Sequence, residues 1–119
     1  MNRLQSLLVA TDLSTPSRHA AQRAAMLAQQ AGARLELVHV LERRALDELR
    51  RLFDDDGEAA QGRVREQARE ALSLLASEVG EPLGVSAGQH LLEGAVLESI
   101  GMQAELLNAA LLIIGARGA

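Results

Sequence analysis

Short apolar runs alternate along the chain with longer stretches in which apolar residues recur every three or four positions. The short runs have the length of strands and lie at residues 4–10, 33–40, 85–92 and 110–115. Helical spacing marks three long stretches and one short one, at residues 15–31, 64–79, 96–107 and 43–53. Strands that alternate with helices predict an α/β fold with a parallel sheet and right-handed crossovers.

The first predicted helix has boundary signals at both ends. Thr15 supplies a hydroxyl cap ahead of Pro16 at the first helical position, and Gly32 follows the last turn. Small residues dominate one face, which predicts a helix close against the sheet: Ala20, Ala24, Leu27, Ala28 and Ala31. Farther along, the sequence DDDG at 54–57 predicts a mobile, solvated connection before the next full helix.

The last two predicted strands differ in pattern. Residues 85–92 alternate between apolar residues such as Val85 and Leu91 and small or polar ones such as Ser86 and His90. Alternation leaves one face in water, which favours the edge of the sheet. Ala110 to Ile114 is apolar throughout, so this strand is predicted to be buried on both faces with neighbours on both sides.

Composition excludes several classes of function. All twelve basic residues are arginine, so a Walker phosphate loop, a receiver domain and Schiff-base chemistry lack their lysine. The absence of cysteine excludes disulfides, thiolate metal sites and cysteine nucleophiles. Nucleic acid is not an expected partner, because the net charge is −4 and Phe53 is the only Phe, Tyr or Trp. Without a signal peptide or a long apolar span, we expect a cytoplasmic protein with no membrane contact.

Candidate chemistry lies after the first and last strands. Asp12 follows the first strand, and Gly115 and Gly118 follow the last. Open parallel sheets bind ligands beyond the carboxyl ends of their strands, where the strand order reverses. If these two strands are neighbours, the Asp12 carboxylate and the backbone amides at the two glycines face one crevice. The carboxylate suits a base or sugar, and the amides suit phosphates. The alternative is that Asp12 only caps a turn or helix. The three histidines show no metal-ligand spacing, and His39 within LVHV is predicted to be a hydrogen-bonded histidine in or near the core.

The segments LLVATDLS (7–14), LELVHVLE (35–42) and LLIIGARG (111–118) resemble the universal stress protein family. The resemblance runs from Leu4 to Gly118 in the family's order and spacing. It implies an open parallel sheet with helices on both faces, of the adenine-nucleotide α-hydrolase-like type, with strand order 3-2-1-4. It also implies a Gly-Ser/Thr motif, a helix and a fifth strand beyond Ala119. We therefore interpret residues 1–119 as one domain of this family that lacks its C-terminal part.

The ATP-binding branch of the family implies roles for individual residues. Asp12 corresponds to the aspartate at the adenosine, and Val40 to the valine whose backbone meets the adenine edge. Gly115 and Gly118 match the first half of the glycine motif around ribose and phosphates, and Arg117 lies between them. The predicted ligand is ATP, with Mg²⁺ as its companion ion. The predicted site comprises Ala10, Thr11, Asp12, Val40, Ile114, Gly115, Arg117 and Gly118.

Three functions follow from the resemblance. The first is a stress-response regulator that binds ATP or another adenine nucleotide, is not an enzyme and forms a homodimer. The second is a dimeric interaction module of the same fold that binds no nucleotide. The third, an enzyme acting at the α-phosphate, is disfavoured because ATDLST replaces the Ser-Gly-Gly-x-Asp-Ser of ATP pyrophosphatases. We also expect the outer edge of the last strand to be paired with another chain or to lie next to a continuation beyond Ala119.

Overall fold

The computed structural model describes residues 5–115 and contains a four-stranded parallel sheet in the order β3-β2-β1-β4. The strands are β1 (Ser6–Thr11), β2 (Arg34–Glu42), β3 (Ala87–Gly94) and β4 (Leu111–Gly115). The helices are α1 (Thr15–Ala31), α2 (Arg43–Phe53), α3 (Gly57–Gly80) and α4 (Val96–Leu106), with 3₁₀ turns at Asp54–Asp56 and Glu81–Leu83. The predicted strand order and parallel architecture are confirmed. Within this part of the chain, no helix is long and apolar enough to cross a bilayer.

Helices cover both faces of the sheet, as predicted. On one face, α1 and α3 enclose a core of leucine, valine and alanine that includes Leu7, Leu35, Leu37 and Leu72. On the other face, α4 packs on a smaller group of buried residues: Leu8, Ala10, Val38 and Ile100. All six residues of β1 are buried, because this strand has neighbours on both sides and helices on both faces.

The start of α1 differs from the prediction by one residue. Ser14, not Thr15, is the N-cap, and its side chain accepts a hydrogen bond from the Ser17 N–H. Ser14 has the extended backbone that a cap requires, whereas Thr15 is already helical. Pro16 fits in the first turn because the N–H groups there have no intrahelical partner. Gly32 ends the helix in the left-handed conformation, as predicted.

The connection at 54–57 is shorter than predicted. Asp54–Asp56 form an exposed 3₁₀ turn, and α3 begins directly at Gly57. Gly57 is buried because it packs against α2, where a Cβ would lie 2.5 Å from the Arg50 carbonyl oxygen. The negative charges of the three aspartates interact favourably with the partial positive charge at the N-terminus of α3. Gln61 ties the two helices together, since its buried amide donates to the Leu46 carbonyl at 2.7 Å.

The two edges of the described sheet are β3 and β4, as predicted. The expected burial of the last strand on both faces is wrong for the residues that the structure describes. Leu111, Leu112 and Ile114 are 39%, 37% and 53% exposed. Only β1 pairs with β4 here, and only Ile113 of this strand packs against the α1–α3 core. The apolar side chains of β4 therefore remain partly in contact with water.

Candidate functional site

A cavity of about 300 Å³ lies at the carboxyl ends of β1, β2 and β4. Its lining contains five residues predicted from the sequence, namely Ala10, Thr11, Asp12, Val40 and Ile114. The other residues that line it were not predicted as site residues: Val38, His39, Val96, Leu97 and Ile100. Helical spacing predicted a helix over residues 96–107 and did not indicate that this helix borders a cavity.

The strand order explains why these residues meet. From β1 the chain turns to β2 on one side, and β4 later adds on the other, so the order reverses between β1 and β4. Their register pairs Ala10 with Ile114 and Thr11 with Gly115. This brings the end of β4 beside the Asp12 turn, which is the switch-point arrangement expected of ligand sites. Arg117 and Gly118 lie outside the described residues, so their predicted roles stay predictions.

Asp12 organises the turn between β1 and α1. Its Oδ1 atom accepts a hydrogen bond from the Ser14 N–H at 2.9 Å and another from the Ser17 hydroxyl at 2.7 Å. Asp12 therefore caps this turn, as one of the two interpretations predicted. The same residue is exposed and lines the cavity, so capping and ligand contact are compatible.

A chain of hydrogen bonds leads to the Asp12 carboxylate. The Leu13 N–H donates to Thr11 Oγ1 at 3.0 Å, and Thr11 Oγ1 donates to Ser17 Oγ at 3.1 Å. Ser17 in turn donates to Asp12, and both hydroxyl side chains are buried. Linked hydrogen bonds polarise one another and hold their members rigidly. Leu13 adopts φ +65°, which costs a leucine on the order of 1–2 kcal/mol, and this chain holds it there.

His39 fixes the other side of the turn. Its Nδ1 atom lies 2.7 Å from the Thr11 carbonyl oxygen. A carbonyl only accepts, so Nδ1 carries the proton in this contact. Sequence reasoning had predicted a hydrogen-bonded histidine in or near the core, which is confirmed. The hydrogen bond to Thr11 was not predicted. The position of His39 next to Val40, near the end of β2, could have indicated that it lies beside the predicted site.

Charged residues lie next to this cavity, around the end of β3. A second cavity of about 480 Å³ shares Val96 and Leu97 with the first and contains Arg43 and Arg44 in its lining. Glu93 accepts hydrogen bonds from Arg65 at 2.7 and 3.1 Å, and these hold its pKa below the ordinary value. Across residues 5–115, no group of three or more His, Asp or Glu side chains could hold a metal ion.

The cavity has the volume and the lining of a small-molecule site. Its volume falls at the lower end of the range of about 300–1,000 Å³ for small-molecule sites. Apolar side chains from three strands and α4 suit the faces of a flat base, while Asp12 offers an acceptor for hydroxyl or amino groups. The β1–β2 register ends at the Ala10–Val38 pair and β2 continues to Glu42, so the backbone around Val40 extends beyond β1.

Comparisons with known proteins agree with this fold. Universal stress protein A homolog 1 of Coxiella burnetii is 32% identical over 112 residues, which are 94% of this chain and 76% of that protein. The crystal structure of a universal stress family protein from Burkholderia pseudomallei is 28% identical with a TM-score of 0.76, over 95% of this chain and 82% of that one. A universal stress protein crystallised with cAMP has a TM-score of 0.68 at 20% identity, over 93% and 72% of the two chains.

The family model described as the universal stress protein family matches residues 4–119. This match covers nearly the whole chain, and the Coxiella relative independently supports it with 32% identity over 94% of this chain. The chain belongs to the universal stress protein family.

Proposed function

We propose that this protein binds ATP or another adenine nucleotide in the cleft between the ends of β1 and β4. In this proposal it acts in the cytoplasm as a stress-response regulator, through its nucleotide-bound state and not through turnover. The single observation that carries the proposal is the cavity in which Ala10, Thr11, Asp12, Val40 and Ile114 come together.

Each part of the cavity has a role in this proposal. The base lies between the apolar side chains of the strand ends and α4, close to the backbone of Val40. Asp12 accepts hydrogen bonds from the nucleoside, because its Oδ1 is already oriented by Ser14 and Ser17. Gly115, Arg117 and Gly118 receive the phosphates, with Mg²⁺ as a companion ion. The neighbour crystallised with cAMP supports adenine nucleotides as the ligand class.

Calorimetric titration of the wild-type protein with MgATP tests the proposal. We expect saturable binding, and we expect Asp12→Ala to raise Kd about tenfold through the loss of a charged acceptor. Asp55→Ala is the matched control, since Asp55 is an exposed aspartate on the 3₁₀ turn away from the cavity. Absence of ATP binding by the wild-type protein would refute the proposal.

One observation favours a second function, a dimeric interaction module that binds no nucleotide. Leu97, Leu106 and Ile114 are 74%, 77% and 53% exposed, and such side chains on α4 and β4 suit association. Light scattering on the same sample distinguishes the two functions. A dimer that binds no ATP supports the interaction module, whereas ATP binding by a monomer or a dimer supports the regulator.

A further inference from the structure

We propose that His39 is a positioning residue of the nucleotide site, because its imidazole holds the Thr11–Asp12 peptide in the orientation that presents Asp12 to the ligand. This inference rests on the proposed function. It adds a residue that does not itself need to touch the nucleotide.

The peptide unit between Thr11 and Asp12 is held at both ends. Its carbonyl oxygen accepts from His39 Nδ1 at 2.7 Å, and its N–H donates to Ser17 Oγ at 3.1 Å. A peptide unit is planar, so two bonds at opposite sides fix the direction of the whole plane. The plane in turn sets where the Asp12 side chain begins.

The two bonds come from different layers of the molecule. His39 belongs to β2, whereas Ser17 lies fully buried in the first turn of α1. The β1–β2 register ends at Ala10 and Val38, so the Thr11 carbonyl lies past the last paired residues of the ladder. The His39 side chain thus continues the attachment of β1 to β2 by one residue, at the point where the strands part beside the cavity.

The bond requires a particular form of the imidazole. Nδ1 must carry a proton, so in neutral His39 the Nε2 atom has none and acts as an acceptor. A substitute side chain restores the contact only if it has a donor at the position of Nδ1. Asparagine has its amide at that distance along the side chain, whereas glutamine has its amide one bond farther out.

Three variants and one control test the inference by calorimetric titration with MgATP. We expect His39→Gln and His39→Leu to raise Kd about tenfold, as for the loss of one partly buried hydrogen bond, and His39→Asn to stay within about threefold of wild type. His19→Gln, an exposed histidine on α1, is expected to leave Kd unchanged. Thermal unfolding of each variant separates lost binding from lost folding.

The outcomes separate this inference from the proposed function. If the wild-type protein binds no ATP, both fall together. If the wild type binds and all His39 variants bind equally, or Asn and Gln weaken binding alike, only the positioning role is refuted. Should the leucine variant fail to fold, the Asn and Gln pair still decides. Long-range ¹H–¹⁵N spectra of the neutral wild-type imidazole provide an independent readout, with protonated Nδ1 expected and protonated Nε2 contradicting the inference.

Discussion

The two faces of the sheet differ in the extent of their apolar packing. Between the sheet and helices α1 and α3 lies a continuous apolar core, with Leu7, Leu35 and Leu37 fully buried. On the α4 face, four buried residues are accompanied by the cavity and by a polar cluster. In that cluster His90 Nε2 donates to Glu36 Oε1 at 2.7 Å, and Gln103 donates to His90 Nδ1 at 3.2 Å. One face holds the larger apolar core, and the other has fewer buried residues and contains the cavity.

Neighbouring residues of β2 allow a direct comparison of the faces. Leu37 and Val38 are both fully buried, but Leu37 belongs to the α1–α3 core and Val38 lines the cavity. We expect Leu37→Ala to lower the free energy of unfolding by about 3 kcal/mol, because it leaves a void in a closed core. Val38→Ala should cost less, about 2 kcal/mol, since fewer carbon atoms are removed beside existing space.

Urea unfolding and ATP titration of the two variants measure this difference. Val38→Ala should change the Kd for ATP, whereas Leu37→Ala should alter stability and leave Kd near the wild-type value. A Leu37 variant that loses ATP affinity while folded, or a Val38 variant that keeps it, would show that the faces are not separate in function.

The sequence predicted the architecture because its signals are local. Strand and helix patterns, Gly32 and the position of Asp12 after a strand can each be interpreted from a few neighbouring residues, whereas Val40 was identified through the family resemblance. The missed features depend on packing between elements. Gly57, at the start of α3, packs against Arg50 of α2, and His39 reaches Thr11 only because β1 and β2 pair in one register.

The sequence placed the N-cap of α1 one residue too late and gave no indication that α4 lines the cavity. The two failures have related reasons. Ser14 and Thr15 are adjacent hydroxyl residues, and backbone geometry, not residue type, decides which one caps α1. The wall formed by Val96, Leu97 and Ile100 depends on how α4 crosses the sheet, which helical spacing alone does not contain. Helical spacing tells which residues share a face, and tertiary packing tells what that face meets.

Alanine substitution of two glycines gives a second comparison of the faces. A Cβ at Gly80, at the end of α3, would lie 2.2 Å from the Val85 carbonyl oxygen. A Cβ at Gly88, on β3, would lie 2.0 Å from Glu36 Oε1, which is the end of a side chain. Backbone yields less easily than a carboxylate, so we expect Gly80→Ala to cost about 2 kcal/mol and Gly88→Ala about 1 kcal/mol.

Gly62→Ala is the matched control for these substitutions. Gly62 lies within α3, and a Cβ added there would have open space within 4 Å, so alanine should stabilise the helix by about 0.8 kcal/mol. Thermal unfolding of the three variants ranks their stabilities. An equal loss of stability at Gly80 and Gly88 would contradict the expectation that backbone yields less easily than the end of a side chain.

The smallest expected effect concerns the ion pair between α3 and β3. Glu93 accepts two hydrogen bonds from Arg65, and these hold its pKa below the ordinary 4.5, with the more distant Arg43 acting in the same direction. A carboxyl group whose pKa is lower in the folded state stabilises the fold above its unfolded pKa. That contribution is lost as the pH falls through the folded pKa.

We therefore expect Glu93→Gln to destabilise the protein by less than about 1 kcal/mol at neutral pH, since the pair is partly exposed to water. The difference from wild type should shrink as the pH falls from the ordinary 4.5 through the lowered pKa of the folded state, where the wild-type carboxyl group becomes protonated as well. Urea unfolding of both proteins at pH 7 and at successively lower pH measures it. A difference that stays constant with pH would mean that Glu93 acts through packing and not through its charge. If Glu93→Gln lowered the free energy of unfolding by much more than Val38→Ala does, the expected order of effects would be reversed. A solvated ion pair would then contribute more to stability than a buried apolar side chain.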